Sequence, residues 1–527
     1  MGMVVMEQYI VGIDAGGTFV KAGLFDASGR ELAVTKELSP HTEARDGKRE
    51  QDPDALWHAV CSSTQTLLRL SGIRAQDIAA ISVTGYGSGL WLVDADGVAL
   101  GNGILSTDVR TELDATSAVD DATAAQVERL VSQRMWSGQT AALLRWFDEY
   151  ELTMRSRVHR VLACKDYIRA RLCGDMSTDH TDAGLTGLCD IERNEWSADA
   201  LRLLGISRWR EKLPTIGPGA ETVGVITAAA AELTGLAAGT PVVRGVVDVA
   251  ACALASRVLD EGHMSVIAGT FGIDQTLHPR PRTSTPPLLQ CRYITGDAYL
   301  ASEGGITSAS NLEWCCRQIF RHRPDDAIAE GGDIYRQCND AVARAYARGR
   351  SSDMMFFPYL FGGPDGAPAG LLGAVAEDGF DDAALAVYEG IAFAHKGDIE
   401  LLLGGDDAAR PTVVRMSGGA SHSPIWPQIF ADVLGLRVDV ADRGEIGVRG
   451  AAITAAVAVG MFADFDTAAA VFTPVMRSYE PDPQKVLSMR VRYDRHRALT
   501  TALSAVWNGL DTVGDRYSDR SAVAADT

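Results

Sequence analysis

Short apolar runs ending in glycine-rich turns alternate along the chain with stretches in which apolar residues return every three or four positions. Tyr9-Ile10-Val11-Gly12-Ile13 is the first run. It ends in Asp14-Ala15-Gly16-Gly17-Thr18, after which Val20, Ala22 and Leu24 alternate with Lys21 and Gly23 until Asp26-Ala27-Ser28-Gly29 turns the chain. This pattern predicts strand, glycine turn, strand. Ser265-Val266-Ile267-Ala268 repeats it, with a Gly269-Thr270 turn and a second run, Phe271-Gly272-Ile273, ending at Asp274. Asp52 followed by Pro53 supplies a helix cap and a first-turn proline, and Leu56, Trp57, Val60, Leu67 and Leu68 follow at helical spacing. A buried strand is predicted over Ile78 to Val83. In the second half Asp381-Asp382 opens a helical stretch through Leu385, Tyr388, Ile391 and Ala392, and Val413-Val414-Arg415-Met416 reads as a strand running into Gly418-Gly419. Strands alternating with helices in both halves predict an α/β protein made of two halves built on the same hairpin. The boundary is expected near 254–262, after the Gly239, Pro241 and Gly245 punctuation. From Asp511 the apolar period is lost and a disordered tail is expected.

Composition narrows this picture. The 527 residues suffice for two or three domains, and 46% hydrophobic with 22% charged residues fits a globular chain with large cores. A formal net charge of −20 disfavours nucleic acid as a partner. No basic leader opens the sequence and no apolar run reaches the ~20 residues of a membrane span, so a cytoplasmic location without membrane association is expected. The nine cysteines form no Cys-x-x-Cys pair and are read as reduced, mostly buried small hydrophobes.

Several segments combine reactive groups with permissive backbone. Asp14 and Thr18 flank Gly16 and Gly17, whose amides can approach an anion; a tight hairpin capped by Asp14 is the alternative. Asp248 lies inside the apolar stretch Gly245-Val246-Val247-Asp248-Val249-Ala250, where a carboxylate is either a helix cap or a base whose pKa burial raises. Gly418-Gly419-Ala420-Ser421-His422 leaves small residues where a flat ring fits, with His422 readable as a surface or capping residue. Gly447, Gly450, Ala451 and Ala452 open a small-residue helix best explained by close packing. Asp108 and Arg110, two residues apart, suit either vicinal hydroxyls of a polyol or a surface ion pair. Ser82 to Gly89, with Gly85 and Tyr86, ends the predicted buried strand in a glycine-rich loop of the kind that binds ligands.

Taken in order from Tyr9 to Val475, these segments resemble the FGGY carbohydrate kinases, members of the actin-like ATPase (ribonuclease H-like) superfold with two duplicated domains around a nucleotide cleft. Further matches are Glu50-Gln51-Asp52-Pro53, Thr240-Pro241-Val242-Val243, Phe357-Pro358-Tyr359-Leu360, and Gln428 with Asp432. The resemblance implies an N-terminal domain over 8–256 holding the sugar and the first phosphate loop. It implies a C-terminal domain over 257–510 holding the second phosphate loop and the adenosine site, and a tail over 511–527. It also implies transfer of the γ-phosphoryl group of ATP, with Mg²⁺, to a hydroxyl of a small sugar or polyol. Asp248 would be the base and Asp14 would hold Mg²⁺ through water. Gly16, Gly17, Thr18, Gly269 and Thr270 would cradle phosphates, and Gly418, Gly419 and Ala420 would bound the adenine pocket. Gly85, Tyr86, Asp108, Arg110 and Asp248 would meet the sugar. Family habit implies a homodimer. Gly87-Ser88 departs from the Arg-Glu of glycerol kinases, Ser106 replaces an aromatic, Val249 replaces a glutamine or asparagine, and Phe271 replaces a serine. Gly101 to Asp108 and Ser308 to Trp314 look most like the branch acting on L-xylulose and 3-keto-L-gulonate. Erythritol or another polyol is the alternative substrate, and a non-catalytic sugar- and ATP-binding actin-like protein the alternative outside enzymes.

Overall fold

Each of the two glycine-turned hairpins seeds its own mixed sheet. The computed structural model describes residues 8–44, 47–113, 119–151, 154–320, 334–349, 352–404, 410–441 and 444–511. The tail expected to be disordered lies outside the described residues from 512 onward, and Asp511 ends a helix that begins at Pro483. The first sheet comprises β1 (Tyr9–Ala15), β2 (Phe19–Asp26), β3 (Glu31–Leu38), β4 (Ile78–Gly85), β5 (Thr222–Val225) and β6 (Pro241–Val243), in the spatial order β5-β6-β4-β1-β2-β3. The second comprises β7 (His263–Ala268), β8 (Gly272–His278), β9 (Leu289–Arg292), β10 (Tyr299–Gly305), β11 (Val413–Ser417), β12 (Arg437–Ala441) and β13 (Val475–Tyr479), in the order β9-β10-β8-β7-β11-β12-β13.

The sheets share one plan. In each, a hairpin (β1 with β2, β7 with β8) gains a third antiparallel strand on one side (β3, β10) and two parallel strands on the other (β4 and β6, β11 and β12). Ile10, Val11, Ile13 and Ala15 are all fully buried, which is why β1 reads as a continuous apolar run instead of an alternating one.

The helices that matter for the site are α1 (Pro53–Ser71), α2 (Cys164–Cys173), α3 (His180–Leu185), α4 (Asp248–Ala255), α5 (Ala309–Gln318), α6 (Phe380–Leu403), α7 (Trp426–Leu434) and α8 (Ile446–Ala458). Helix α1 starts where the sequence predicts: the Asp52 side chain accepts the Asp54 and Ala55 amides, Pro53 occupies the first turn, and Gly72 closes the helix at φ 69°.

Helix α8 follows β12 in the chain yet packs on β1 and β4 of the first sheet, where it crosses α4. Small residues permit the crossing: a Cβ on Gly450 would lie 2.1 Å from the Ala251 carbonyl oxygen, and one on Gly12 would lie 2.1 Å from that of Val448. Close packing is therefore what the small-residue helix serves. Ile10, Phe25, Ala80, Val243 and Leu254 share one core with Val448, Ile453 and Phe472, so the end of the chain completes the packing of its beginning. All nine cysteines are free thiols, as expected.

Candidate active site

A cleft of about 610 Å³ runs between the halves. Gly17 and Thr18 enter it from the first turn, Phe271 and Gly272 from the second, and Asp248 and Val249 from the start of α4. Tyr86, Gly87, Ser88, Ser106, Thr107 and Trp136 form a wall from the first half, faced by Ser302 and Glu303 of β10. Each turn is closed by its own backbone: the Gly16 amide donates to the Phe19 carbonyl at 2.9 Å, and the Gly269 amide to that of Phe271 at 3.2 Å. The start of α5 joins the second turn, the Ala309 amide donating to the Gly269 carbonyl at 2.9 Å. Thr18 and Thr270 are exposed on their turns.

Asp248 is the first residue of α4, and Val247 occupies the cap position without a side-chain cap bond. Three contacts hold the approach. Thr84 donates its hydroxyl to the Val246 carbonyl (2.7 Å), and the Val247 amide donates to the Thr181 hydroxyl (2.9 Å). Gly245, at φ 82°, lets the chain pass so close to β4 that a Cβ would lie 2.0 Å from the Val83 carbonyl oxygen. Burial pushes the Asp248 carboxyl up to about 7, helped by the charge of Asp14 and opposed by the Val249 amide, which donates to its Oδ1 at 2.6 Å. Asp248 is therefore the first helical residue and not the cap, and it lines the cleft.

Asp14 is the last residue but one of β1, at the mouth of the first turn, and burial lifts it to about 6, with Lys21 pulling it down and Glu445 pushing it up. Its carboxylate accepts no hydrogen bond from the described residues. Lys21 is held by Glu445 at 2.6 Å, and Gly447 at the start of α8 comes so close that a Cβ would lie 2.5 Å from Asp14 Oδ2.

The structure revises the expected sugar contacts. Asp108 is fully buried and does not line the cleft. It receives the Arg110 amide, Nε and guanidinium at 2.8–2.9 Å and the Arg49 amide at 2.7 Å. Arg110 points away, into a separate cavity of about 160 Å³, where it also pairs with Glu50 at 2.8 Å. Both are spent on each other, so this pair braces the cleft wall from behind; Arg49 and Thr107 are the residues it presents to the cleft. Tyr86 lines the cleft, but its hydroxyl donates to Gln51 Oε1 (3.3 Å) and accepts from Trp91 Nε1 (3.1 Å), so its ring is what a ligand meets. Gly85 packs on Ala15 instead of facing the cleft.

Gly418, at φ 84°, lies against the second turn, where a Cβ would come within 2.7 Å of Ala268. Gly419 faces open space. The Ala420 methyl is buried in the core of the second half and cannot touch a ligand.

Behind Asp248 lies a buried charge cluster that the sequence pattern did not reveal. Lys165 Nζ on α2 is 2.6 Å from Asp166, 2.9 Å from Asp179 and 3.5 Å from Asp182, and Arg169 is 2.7 Å from Asp166; none of the five side chains exceeds 1% exposure. Charged residues at positions that a helix should fill with apolar ones were the available signal. Asp179 caps α3 by accepting the Thr181 and Asp182 amides, and Thr181 then holds Val247. The cluster therefore reaches the start of α4, and Asp248, through one hydroxyl.

Two duplicated sheets flanking a cleft, with a glycine turn from each and the Asp248 carboxyl among its lining, are the architecture of a phosphotransferase of the actin-like fold. The chain belongs to the FGGY family of carbohydrate kinases: residues 9–255 match the family's N-terminal domain and 264–459 its C-terminal domain. It is 31% identical over 502 residues to the L-xylulose/3-keto-L-gulonate kinase of Escherichia coli (strain K12), covering 94% of this chain and 98% of that protein. In fold it resembles the gluconate kinase from Lactobacillus acidophilus (TM-score 0.84, 22% identity, 96% of this chain and 100% of that one). It also resembles the ligand-bound xylulose kinase from the same organism (TM-score 0.83, 21% identity, 95% and 100%). The protein is thus an ATP-dependent carbohydrate kinase with a hydroxyl group as acceptor. Among the described residues, no helix is long and apolar enough to cross a membrane.

Proposed function

We propose that this kinase phosphorylates a small keto-sugar, L-xylulose or a related ketopentose or keto-sugar acid, with Asp248 as the base. The observation that carries the assignment of the base is the position of its carboxylate, between the hydroxyl-rich wall (Ser88, Ser106, Thr107) and the two glycine turns. The substrate rests on the likeness to the Escherichia coli enzyme.

In this mechanism the sugar lies along that wall, with one hydroxyl against Asp248. An Asp248 oxygen takes the hydroxyl proton as the sugar oxygen bonds to the γ-phosphorus and the bond from γ-phosphorus to the bridging oxygen breaks, releasing ADP. The Gly17 amide and the hydroxyls of Thr18 and Thr270 receive the phosphates on turns that the Gly16 and Gly269 amides hold closed, and Gly418 and Gly419 border the adenosine. Mg²⁺ fits the donor set: a single carboxylate, Asp14, free of protein hydrogen bonds and beside the first turn, suits an ion that keeps most of its waters and takes the rest of its ligands from phosphates. When bound, it supplies charge neutralisation for the transferring group. The two revised residues, Asp108 and Arg110, act on the sugar only through Arg49 and Thr107. A homodimer in the cytoplasm is part of this proposal and rests on the habit of the family.

A coupled ADP-release screen with ATP and Mg²⁺ across ketopentoses, keto-sugar acids, pentitols, tetritols and glycerol tests the reading, with Asp248→Asn as control. The expected result is Asp248-dependent turnover on L-xylulose. Turnover confined to erythritol or another polyol would replace the substrate, and full activity of Asp248→Asn would overturn the base.

A further inference from the structure

Directly behind the second phosphate turn lies a buried chain of three polar residues that the phosphoryl transfer above does not use. His395 on α6 contacts both carboxylate oxygens of Asp274 on β8 through Nδ1 (2.9 and 3.0 Å) and the Ser308 hydroxyl through Nε2 (3.0 Å). All three are at most 1% exposed. Glycine makes room for the ring: a Cβ on Gly272, which lines the cleft, would lie 2.8 Å from His395 Cε1 and 3.0 Å from the Ser308 Cβ. The Phe430 ring of α7 closes the other side edge-on at 5.3 Å.

Ser308 occupies the cap position of α5 but makes no capping bond with its side chain. That is unusual, because a serine there ordinarily accepts an amide of the first turn. Its hydroxyl is turned to His395 instead, and the next residue, Ala309, ties α5 to Gly269 of the phosphate turn. The imidazole thus holds Ser308, the neighbour of the residue whose amide joins the helix start to the turn.

We propose that His395 is a positioning residue for the nucleotide: clamped by Asp274, it fixes Ser308, and with it the Gly269–Gly272 turn and the start of α5, in the shape that receives the phosphates. The proposal rests on the reading of that turn as a phosphate site. Burial works to lower the His395 pKa, but the Asp274 carboxylate at Nδ1 outweighs it and raises His395 above its ordinary range; in the imidazolium form so favoured, Nε2 donates to Ser308. The serine hydroxyl is then left as a donor. Once the ring loses its proton, Nε2 becomes an acceptor, the serine proton turns back towards it, and the positive charge behind the turn disappears. The charged groups around the ring are Asp274 on β8 and Asp398 on α6. Beyond Asp398 lie Glu303 on β10, paired in register with Asp274, and Arg134. Asp398 is pushed up to about 7 by burial and by Asp274. As it ionises it favours the imidazolium and adds to the upward pull of Asp274 on His395.

The test is calorimetric binding of ADP with Mg²⁺ from pH 7 to 9, for the wild type, His395→Gln and Ser308→Ala, with L-xylulose binding measured alongside. In the wild type, ADP affinity should fall about tenfold as pH rises through the folded pKa of His395. His395→Gln should start about tenfold weaker at pH 7 and show no slope, with its sugar affinity unchanged and its kcat at saturating ATP within about twofold of wild type. Ser308→Ala should weaken ADP but keep the slope, because the imidazolium remains. Equal ADP affinity and equal slope in the wild type and either variant would overturn the positioning role alone. A wild type that phosphorylates sugar but whose ADP binding is insensitive to Gly269→Val would overturn the phosphate-site reading and the inference with it. If His395→Gln does not fold, the Ser308→Ala result decides.

Discussion

The buried cluster around Lys165 yields an asymmetric prediction: of the three aspartates facing one ammonium, one can be neutralised at almost no cost. Asp166 receives both Lys165 and Arg169 within 2.7 Å and is held below the usual carboxylate range by those cations. Asp179 is 2.9 Å from Lys165 and caps α3. Asp182 lies 3.5 Å from Lys165, and neither of its oxygens has a hydrogen-bond partner. Burial pushes Asp182 well above its ordinary value, with Asp166, Asp179 and Asp248 adding to the push and Lys165 opposing it. Burial thus drives Asp182 towards its neutral form, which leaves Asp166 and Asp179 to face the two cations. Lys165→Met removes the ammonium that two buried carboxylates share and should cost about 3–5 kcal/mol. Asp182→Asn replaces one neutral group by another of the same shape and should cost less than about 1 kcal/mol at pH 7. The sign with pH follows. The unfolded Asp182 ionises above about 4 while the folded one keeps its proton, so wild-type stability declines as pH rises and the asparagine variant escapes that decline. Urea titrations at pH 5, 7 and 8, followed by tryptophan fluorescence of the first half, should show the variant gaining on the wild type as pH increases. A loss of 3 kcal/mol or more in Asp182→Asn at pH 7 would show that Asp182 is an ionised partner of Lys165 and refute the charge count.

Three further outcomes are expected. Because the proposed base must be ionised to accept a proton, kcat/KM for the sugar should fall about tenfold per pH unit below the Asp248 pKa, which is about 7 while Asp14 is charged and lower once a cation neutralises Asp14, and above it the profile should level off; a flat profile from pH 4 to 8 with chemistry rate-limiting would contradict the assignment. Gly447→Ala inserts a methyl group 2.5 Å from Asp14 Oδ2, so it should destabilise by about 1–3 kcal/mol and raise the Mg²⁺ concentration needed for half-maximal ADP release; wild-type values in both measurements would show that the approach of α8 does not set the position of Asp14. Asp108→Asn loosens Arg110 and the Arg49 backbone together, so it should raise the sugar KM about tenfold and leave the ATP KM alone; an effect on ATP alone would place the pair elsewhere in function.

What the sequence disclosed was governed by how local the determining interactions are. The hairpins were legible because each is set by a strand pattern and a turn within about twenty residues, and the start of α1 because Asp52 and Pro53 act on the next three residues. Asp108 and Arg110 were ambiguous for a definite reason: a carboxylate and a guanidinium two residues apart can reach each other as easily as a ligand, and only their burial, set by Glu50 and Trp146 from distant segments, shows that they choose each other. Ala420 was ambiguous similarly, since the turn predicts where its backbone lies but not that its methyl group is buried in the core of the second half. Lys165, Asp179 and His395 were invisible because their partners stand 14, 14 and 121 residues away in the chain.

The small-residue helix shows how a correct local reading still hides a function. Gly450 was readable as a packing residue, and it is one, fitting against Ala251 where α8 crosses α4. Yet Ala251 lies on the helix that Asp248 begins, and Gly447, on the same helix as Gly450, rests on Asp14. One crossing therefore fixes the helix starts that serve both carboxylates of the site, and the charge on Asp14 is one of the causes that raise Asp248. Neutralising Asp14, by a proton or by a cation, removes that push and lets Asp248 ionise more readily. Asp248, the proposed base, is thus strongest in its resting state and most fully ionised when the neighbouring carboxylate is engaged, a coupling that depends on two helices approaching to glycine distance and that no single segment of sequence could display.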